Sequence, residues 1–285
     1  MEGQAPEGCD AGAAGGVRGG AEAPRLIRLM RTFLVVLAIA LALLYAGACW
    51  FLHARQRQMI YYGWTTTVDA ARTDFALKRP DATLRGWALN PQAGRPILYF
   101  GGNAERIEHN REVFARLFPD RSVYLIAYRG YGASEGEPSQ AALVADAVAL
   151  FDHMQARHPG QAVAVIGRSL GSGVASQLAA QRPVERLALI TPFDSMVATA
   201  RAHYPLFPVD WLLDERYESE RALSDYRRPV LILHGGRDDI VPEANTLRLV
   251  SALPTPPTVV RVAEAGHNDI DAHPQFAPAL AGFMR

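Results

Sequence analysis

Three side chains in this sequence have the types that nucleophilic catalysis needs: Ser169, Asp238 and His267. A serine hydroxyl is a weak nucleophile, so it needs a base to take its proton and an acid to orient that base. Ser169 lies within Gly-Arg-Ser-Leu-Gly (167–171), and Asp238 and His267 each follow a predicted strand further along the chain. This arrangement predicts acyl transfer through an activated serine, with His267 as the base and Asp238 as the acid.

The residues on either side of Ser169 indicate a nucleophile elbow, a sharp strand-to-helix turn that exposes the serine. The apolar run 162–166 predicts a buried strand, and the small residues of 174–181 predict the helix. Such a turn tolerates only small neighbours, which Gly167 and Gly171 provide. The positive end of the helix dipole would favour an oxyanion beside the serine. The alternative is a tight turn whose serine only caps the helix.

Other acids and histidines compete for these two roles. Asp194 also follows a predicted strand and could reach the histidine, whereas Asp239 is expected to face solvent. His234 is expected to brace the loop that carries Asp238, called the acid loop below, and His273 is expected to begin the last helix. We expect structural roles for the histidines of the predicted helices and insert: His109, His153, His158 and His203.

An acyl transfer also needs donors for the oxyanion of its tetrahedral intermediate. The natural donors are the backbone N–H of Leu170, directly after the serine, and that of Asn103 in the loop Gly-Gly-Asn-Ala (101–104). The glycines allow the backbone to approach a substrate closely. A phosphate-binding turn is the alternative, but the loop lacks the full glycine motif and its lysine. Because the sequence has no HExxH motif or acidic metal cluster, we expect neither a metal nor a cofactor.

Strand and helix patterns alternate over residues 56–285, which predicts an α/β domain with a mostly parallel sheet and helices on both faces. Two antiparallel edge strands are expected at Phe75–Leu77 and Thr83–Leu89. The alternation breaks at 194–223, an apolar, proline-interrupted insert that follows a strand end, where ligands bind in open parallel sheets. We expect a small lid there, although a helix packed on the core is the alternative.

The N-terminal part of the chain predicts a tail and a membrane anchor. Residues 1–24 are rich in Gly and Ala and predict a disordered tail. The run Thr32–Leu52 has no charge and is long enough to cross a bilayer, so 25–55 is predicted to be a transmembrane helix. A cleaved signal peptide is the alternative, because Ala-Gly-Ala (46–48) resembles a cleavage site. More arginines precede the run than follow it, and positive charges favour the cytoplasmic side of a membrane. This difference favours a catalytic domain on the exported (periplasmic or extracytoplasmic) side.

Composition excludes some partners. The 285 residues carry 29 basic and 29 acidic side chains, so the surface has no basic excess of the kind that nucleic acids need. Both cysteines, Cys9 and Cys49, precede the globular part, which therefore has no disulfide framework. The expected partners are a small-molecule or acyl-chain substrate and, through the N-terminal helix, a membrane. The sequence carries no signal for an oligomeric state.

Five motifs follow in order along the chain: Phe-Gly-Gly-Asn-Ala (100–104), Tyr-Arg-Gly-Tyr-Gly-x-Ser-Glu-Gly-Glu-Pro (128–138), Gly-Arg-Ser-Leu-Gly (167–171), His-Gly-x-x-Asp-x-x-Val-Pro (234–242) and Gly-His-Asn-Asp (266–269). Together they resemble the α/β-hydrolase superfamily, and most of all its small, N-terminally membrane-anchored serine hydrolases, which include depalmitoylating thioesterases and serine aminopeptidase-like proteins. The resemblance places Ser169, Asp238 and His267 at the triad positions and Asn103 and Leu170 at the oxyanion positions.

Two positions depart from the family pattern. Gly101 stands where histidine is commoner, and Ala127 stands where an acidic residue often precedes Tyr-Arg-Gly. The first change bears on how the oxyanion loop is held.

The expected function is that of a serine hydrolase that cleaves an ester or thioester of an acyl or lipid-like substrate through an acyl-enzyme. A peptidase or amidase of the same fold, a non-catalytic membrane-anchored scaffold, and non-hydrolytic chemistry at the same residues are the alternatives.

Overall fold

The computed structural model describes residues 22–285, with side chains from residue 25 onward. Most of the tail predicted for residues 1–24 therefore lies outside the described residues. The chain divides into two compact units, one up to Trp50 and the other from Phe51 to Arg285.

The first helix, α1, runs over Glu22–Ile60. Within the described residues, α1 alone is long and apolar enough to cross a membrane by length and composition. Helices of membrane anchors and of signal sequences both have these properties.

The second unit is built on one sheet of eight strands in the order β1-β2-β4-β3-β5-β6-β7-β8. β2 pairs antiparallel with β1 and β4, and every other pairing is parallel, which confirms the predicted α/β fold with antiparallel strands at one edge. The strands are β1 Phe75–Lys78, β2 Thr83–Leu89, β3 Ile97–Phe100, β4 Val123–Ile126, β5 Ala164–Arg168, β6 Leu187–Ile190, β7 Val230–Gly235 and β8 Thr258–Val262.

Burial explains why the central strands are continuous apolar runs. Every residue of β3, β4, β6 and β7 is buried, as expected for parallel strands covered on both faces. The helices that follow α1 are α2 Arg111–Leu117, α3 Gln140–Arg157, α4 Leu170–Ala179, α5 Met196–His203, α6 Val209–Leu212, α7 Ser219–Ala222, α8 Glu243–Ala252 and α9 Phe276–Met284. The insert at 194–223 consists of α5, α6 and α7 with the loops between them.

The structure corrects two helix boundaries. Helix α4 runs over Leu170–Ala179, so it begins directly after Ser169 and four residues before its predicted start at 174. The last helix begins at Phe276, and His273 precedes it in an extended conformation with ψ of 143°. The reason is Pro274, because the residue before a proline is disfavoured in the helical region.

Candidate active site

Ser169 occupies a sharp turn between β5 and α4, with φ of 50° and ψ of −117°. Positive φ is strained for a residue with a side chain, and the close packing around the turn sustains it. A Cβ at Gly171 would lie 2.0 Å from the carbonyl oxygen of Phe100, and one at Gly167 would lie 2.4 Å from that of Gly171. Only glycine therefore fits at either position, as the elbow pattern predicts.

The structure brings together the serine, the acid and the histidine that the sequence predicts. His267 Nε2 lies 2.8 Å from Ser169 Oγ, and His267 Nδ1 lies 2.8 Å from Asp238 Oδ2. The side chains of His267 and Asp238 are only 6% and 3% exposed. Asp238 follows β7, and His267 follows β8, so parallel strand ends supply both groups at one edge of the sheet.

The remaining oxygen of Asp238 is fixed by its own loop. Asp238 Oδ1 accepts hydrogen bonds from the backbone N–H of Ile240 at 3.0 Å and of Val241 at 2.7 Å. These bonds leave Oδ2 facing His267 and set the orientation of the carboxylate.

Asp194, the alternative acid, is bound elsewhere. Its Oδ1 accepts from Ser195 N at 2.8 Å and from Asn245 Nδ2 at 3.0 Å, and its Oδ2 accepts from Arg248 Nε at 2.5 Å. Asp194 therefore ties the start of the insert to α8. Asp239 is exposed, as expected.

The other histidines of this region have structural surroundings. Burial lowers the pKa of His234, whose Nδ1 lies 3.7 Å from Glu243 Oε1. Nε2 of His203, at the end of α5, lies 2.8 Å from the carbonyl oxygen of Ile240, so this residue joins the insert to the acid loop.

Three tyrosines and a carboxylate hold the loop 101–104, called the oxyanion loop here after the donor role that the sequence predicts for Asn103. Tyr128 OH donates to the carbonyl oxygen of Gly101 at 2.8 Å. The side-chain oxygen of Asn103 accepts from Tyr131 OH at 2.8 Å and from the backbone N–H of Tyr62 at 2.9 Å. The N–H of Gly102 donates to Glu105 Oε2 at 2.5 Å.

Steric contact with Ile107 explains why glycine occupies position 101, where histidine is commoner in the family. A Cβ there would lie 2.6 Å from Ile107 Cγ2, so a larger residue would displace the loop or its neighbour. The hydrogen bonds from Tyr128 and to Glu105 hold the loop at this position.

Glu105 and Arg168 are the site residues that sequence reasoning missed. Glu105 Oε1 accepts from Tyr99 OH at 2.6 Å and from Asn110 Nδ2 at 2.7 Å, and it lies 3.7 Å from Arg168 Nη1. Arg168 also donates to the carbonyl oxygen of Asn268, the residue after His267, at 3.2 Å.

Glu105 and Arg168 thus connect the oxyanion loop to the loop that carries His267. Burial disfavours the charge of Arg168, but Glu105 and other neighbouring groups outweigh that effect and raise its pKa. The available sequence signal was a charged residue at the end of an apolar strand, directly before the serine.

An apolar cavity of about 290 Å³ adjoins Ser169, and Leu170 and Asn103 also line it. Its other walls come from the last turns of α1, from the insert and from the acid loop. Among residues 25–285, no group of three His, Cys, Asp or Glu side chains is arranged to hold a metal ion.

Comparisons with known proteins agree with this architecture. The family model of serine aminopeptidases of type S33 matches residues 91–207. An uncharacterized protein of Mycobacterium tuberculosis is 36% identical over 250 residues, which cover 83% of this chain and 88% of that protein. The lysophosphatidylserine lipase ABHD12 of Danio rerio is 31% identical over 173 residues, or 53% of this chain and 45% of the lipase. Est1E from Butyrivibrio proteoclasticus, solved with ferulic acid bound, shares the fold with a TM-score of 0.61 at 15% identity, covering 74% of this chain and 97% of Est1E.

Proposed function

The chain belongs to the α/β-hydrolase superfamily, and from this we propose that it is a serine hydrolase that cleaves acyl esters or thioesters through an acyl-enzyme. The observation that carries the proposal is the position of His267, whose two ring nitrogens lie 2.8 Å from Ser169 Oγ and from Asp238 Oδ2.

In the proposed reaction, Ser169 Oγ attacks the substrate carbonyl carbon while His267 Nε2 takes the hydroxyl proton. The oxyanion that forms accepts hydrogen bonds from the N–H groups of Leu170 and Asn103, and Asp238 stabilises the positive charge on the imidazole ring. His267 then gives its proton to the leaving alcohol or thiol, which departs from the acyl-enzyme. Water, deprotonated by His267, releases the acid and restores Ser169.

The lining of the cavity favours an acyl substrate over a peptide. None of the described residues that line it carries a carboxylate, whereas an aminopeptidase needs a negative group to bind the substrate's ammonium. Apolar side chains of the insert, such as Met196 and Phe207, face the cavity and suit an aliphatic chain. We assign the insert at 194–223 the role of a lid over the aliphatic chain of the substrate. The relative from Danio rerio, named for a lipid ester, is consistent with this choice.

The same proposal assigns α1 the role of a membrane anchor with the hydrolase domain on the exported side. Fusions of alkaline phosphatase and of green fluorescent protein to the C-terminus test the orientation in a bacterial host. An exported domain makes the phosphatase active and leaves the fluorescent protein dark. The opposite pattern would contradict the orientation, and a mature protein shortened to near Cys49 would show that α1 is a signal sequence.

The catalytic proposal is tested by labelling full-length protein with a fluorophosphonate probe. Ser169→Ala and His267→Ala are the test variants, and Ser251→Ala and His109→Ala, which alter exposed residues, are the matched controls. We expect labelling to be lost in both test variants and kept in both controls. A folded wild-type protein that the probe does not label would favour the scaffold alternative.

The substrate class is tested on the same wild-type protein. p-Nitrophenyl esters, acyl thioesters and aminoacyl anilides are compared by kcat/KM. We expect turnover of the esters or thioesters, and a clear preference for the anilides would establish the peptidase alternative instead.

A further inference from the structure

One wall of the cavity comes from the end of α1, which precedes the first strand of the sheet along the chain. Leu52, Gln56, Met59 and Ile60 all line the cavity. Their spacing of three and four residues puts them on one side of the helix. Gln58 lies on the opposite side and is exposed, so only one face of this segment contacts the cavity.

Hydrogen bonds fix this part of α1 to the insert. Gln56 is 8% exposed, and its side-chain oxygen accepts from the backbone N–H of Asp214 at 2.7 Å. Its Nε2 donates to the carbonyl oxygen of Leu212 at 3.2 Å. A buried glutamine with both ends bonded to the backbone of another segment sets the position of the wall.

A buried carboxylate strengthens the same connection. Glu215, 3% exposed, accepts from Arg57 Nε at 2.8 Å and from Tyr61 OH at 2.6 Å. Tyr61 OH also lies 2.9 Å from Tyr217 OH, and burial raises the pKa of the Tyr61 phenol. Breaking these contacts would leave a buried charge unpaired, so the segment is held firmly.

The segment also reaches the oxyanion loop through the hydrogen bond from Tyr62 N to Asn103 Oδ1. The substrate carbonyl would lie at this end. Leu52, the last residue of the apolar run Thr32–Leu52, lies eight residues before Ile60, which corresponds to about 12 Å along a helix. An acyl chain that starts at Ser169 can therefore lie along α1 towards Leu52.

We propose that the cavity-facing side of the end of α1 determines the acyl-chain specificity of the enzyme, with Leu52, Met59 and Ile60 as the wall against which an aliphatic chain packs. This inference rests on the proposed function. It predicts a preference for esters whose chain is long enough to reach Leu52 over acetyl esters, because every buried methylene adds about four-fold to the rate of acylation.

The test measures the rate at which ethyl and dodecyl fluorophosphonates label Ser169 in the full chain, reconstituted in phosphatidylcholine nanodiscs. Leu52→Trp is designed to fill the far end of the cavity, and Met59→Ala to widen it. Gln58→Trp, on the opposite side of α1, is the matched control for the added indole. The ethyl probe, which does not extend along the wall, reports whether each variant keeps an intact serine site.

We expect Leu52→Trp to lower the dodecyl-to-ethyl rate ratio by at least ten-fold and Gln58→Trp to leave it within two-fold of wild type. Met59→Ala should lower the same ratio by about four-fold or more, because a dodecyl chain loses packing contacts with the Met59 side chain that an ethyl group makes to a smaller extent. An unchanged ratio in Leu52→Trp and Met59→Ala, or an equal change in Gln58→Trp, would overturn the inference and leave the proposed function standing. Absence of labelling in wild type would instead overturn the proposed function, and this inference with it.

Discussion

Replacing Glu105 with glutamine tests how the oxyanion loop is held. The Glu105 carboxylate accepts from Gly102 N, Tyr99 OH and Asn110 Nδ2 at 2.5, 2.6 and 2.7 Å. A glutamine side chain keeps one oxygen and presents an NH₂ group in place of the other. That NH₂ must face either Gly102 N–H or the donors of Tyr99 and Asn110, so at least one bond to a charged acceptor is lost.

The magnitude follows from the position of the lost bond. A hydrogen bond to a charged group contributes about 1.5–3 kcal/mol, so Glu105→Gln should lower the free energy of unfolding by about that amount. Gly102 directly precedes Asn103, so release of its N–H moves a proposed oxyanion donor. Loss of one such donor costs about 10²–10³ in kcat. We expect kcat to fall by about 10², which corresponds to about 2.7 kcal/mol in the activation free energy.

The assay is steady-state hydrolysis of p-nitrophenyl butyrate together with thermal unfolding. KM should change by less than about three-fold, because the donor acts mainly on the transition state. Glu112→Gln is the matched control, since its side chain is 89% exposed and lies 3.9 Å from Arg116 in an ion pair between successive helical turns. Such a pair is worth little, so this variant should resemble wild type. If Glu105→Gln lowers thermal stability but keeps kcat within two-fold of wild type, Glu105 does not position the oxyanion donor.

Three further predictions concern the acid, the buried histidine and the elbow. Asp238→Asn should lower kcat by roughly 10³–10⁴ with the fold retained, because the histidine loses its orienting charge. Asp194→Asn should change kcat by only a few-fold and lower thermal stability. A larger loss of kcat in Asp194→Asn than in Asp238→Asn would show that Asp194 is the catalytic acid. Because burial lowers the pKa of His234, the unfolded chain binds a proton that the folded chain does not. The melting temperature should therefore fall as the pH drops from about 7 to 5, and by less in His234→Asn; an identical fall would exclude this residue as a source. Gly171→Ala should abolish soluble protein or probe labelling, because its Cβ would lie 2.0 Å from a backbone oxygen, whereas Gly282→Ala, with nothing within 4 Å, should behave as wild type.

The elements could be predicted because their signals are local. Strand β2 lies at Thr83–Leu89, where the sequence predicts it, and β1 at Phe75–Lys78 differs from its predicted bounds by one residue, since hydrophobic alternation acts within a few residues. The glycines at 167 and 171 likewise reveal the elbow, because the steric demand falls on immediate neighbours of the serine.

The contacts that hold the oxyanion loop could not be predicted from neighbouring residues. Its glycines predict a close backbone approach, but the groups that hold it lie far along the chain: Tyr62 precedes Asn103 by 41 residues, and Tyr131 follows it by 28. Arg168 has no recognisable role in sequence, because its partners Glu105 and Asn268 become neighbours only when parallel strand ends meet at one edge.

The sequence by itself determined the alternation of strands and helices, the strained serine turn, and the serine, acid and histidine in an order that hydrolases use. It did so because backbone period, small-residue sterics and strand ends depend on neighbouring residues. Only the tertiary structure decided that Asp194 binds Asn245 and Arg248 instead of His267, and that the end of α1 forms a wall of the cavity. Both depend on pairings such as that of Gln56 with Asp214, 158 residues apart, where burial and hydrogen bonding act on groups that chain order does not bring together.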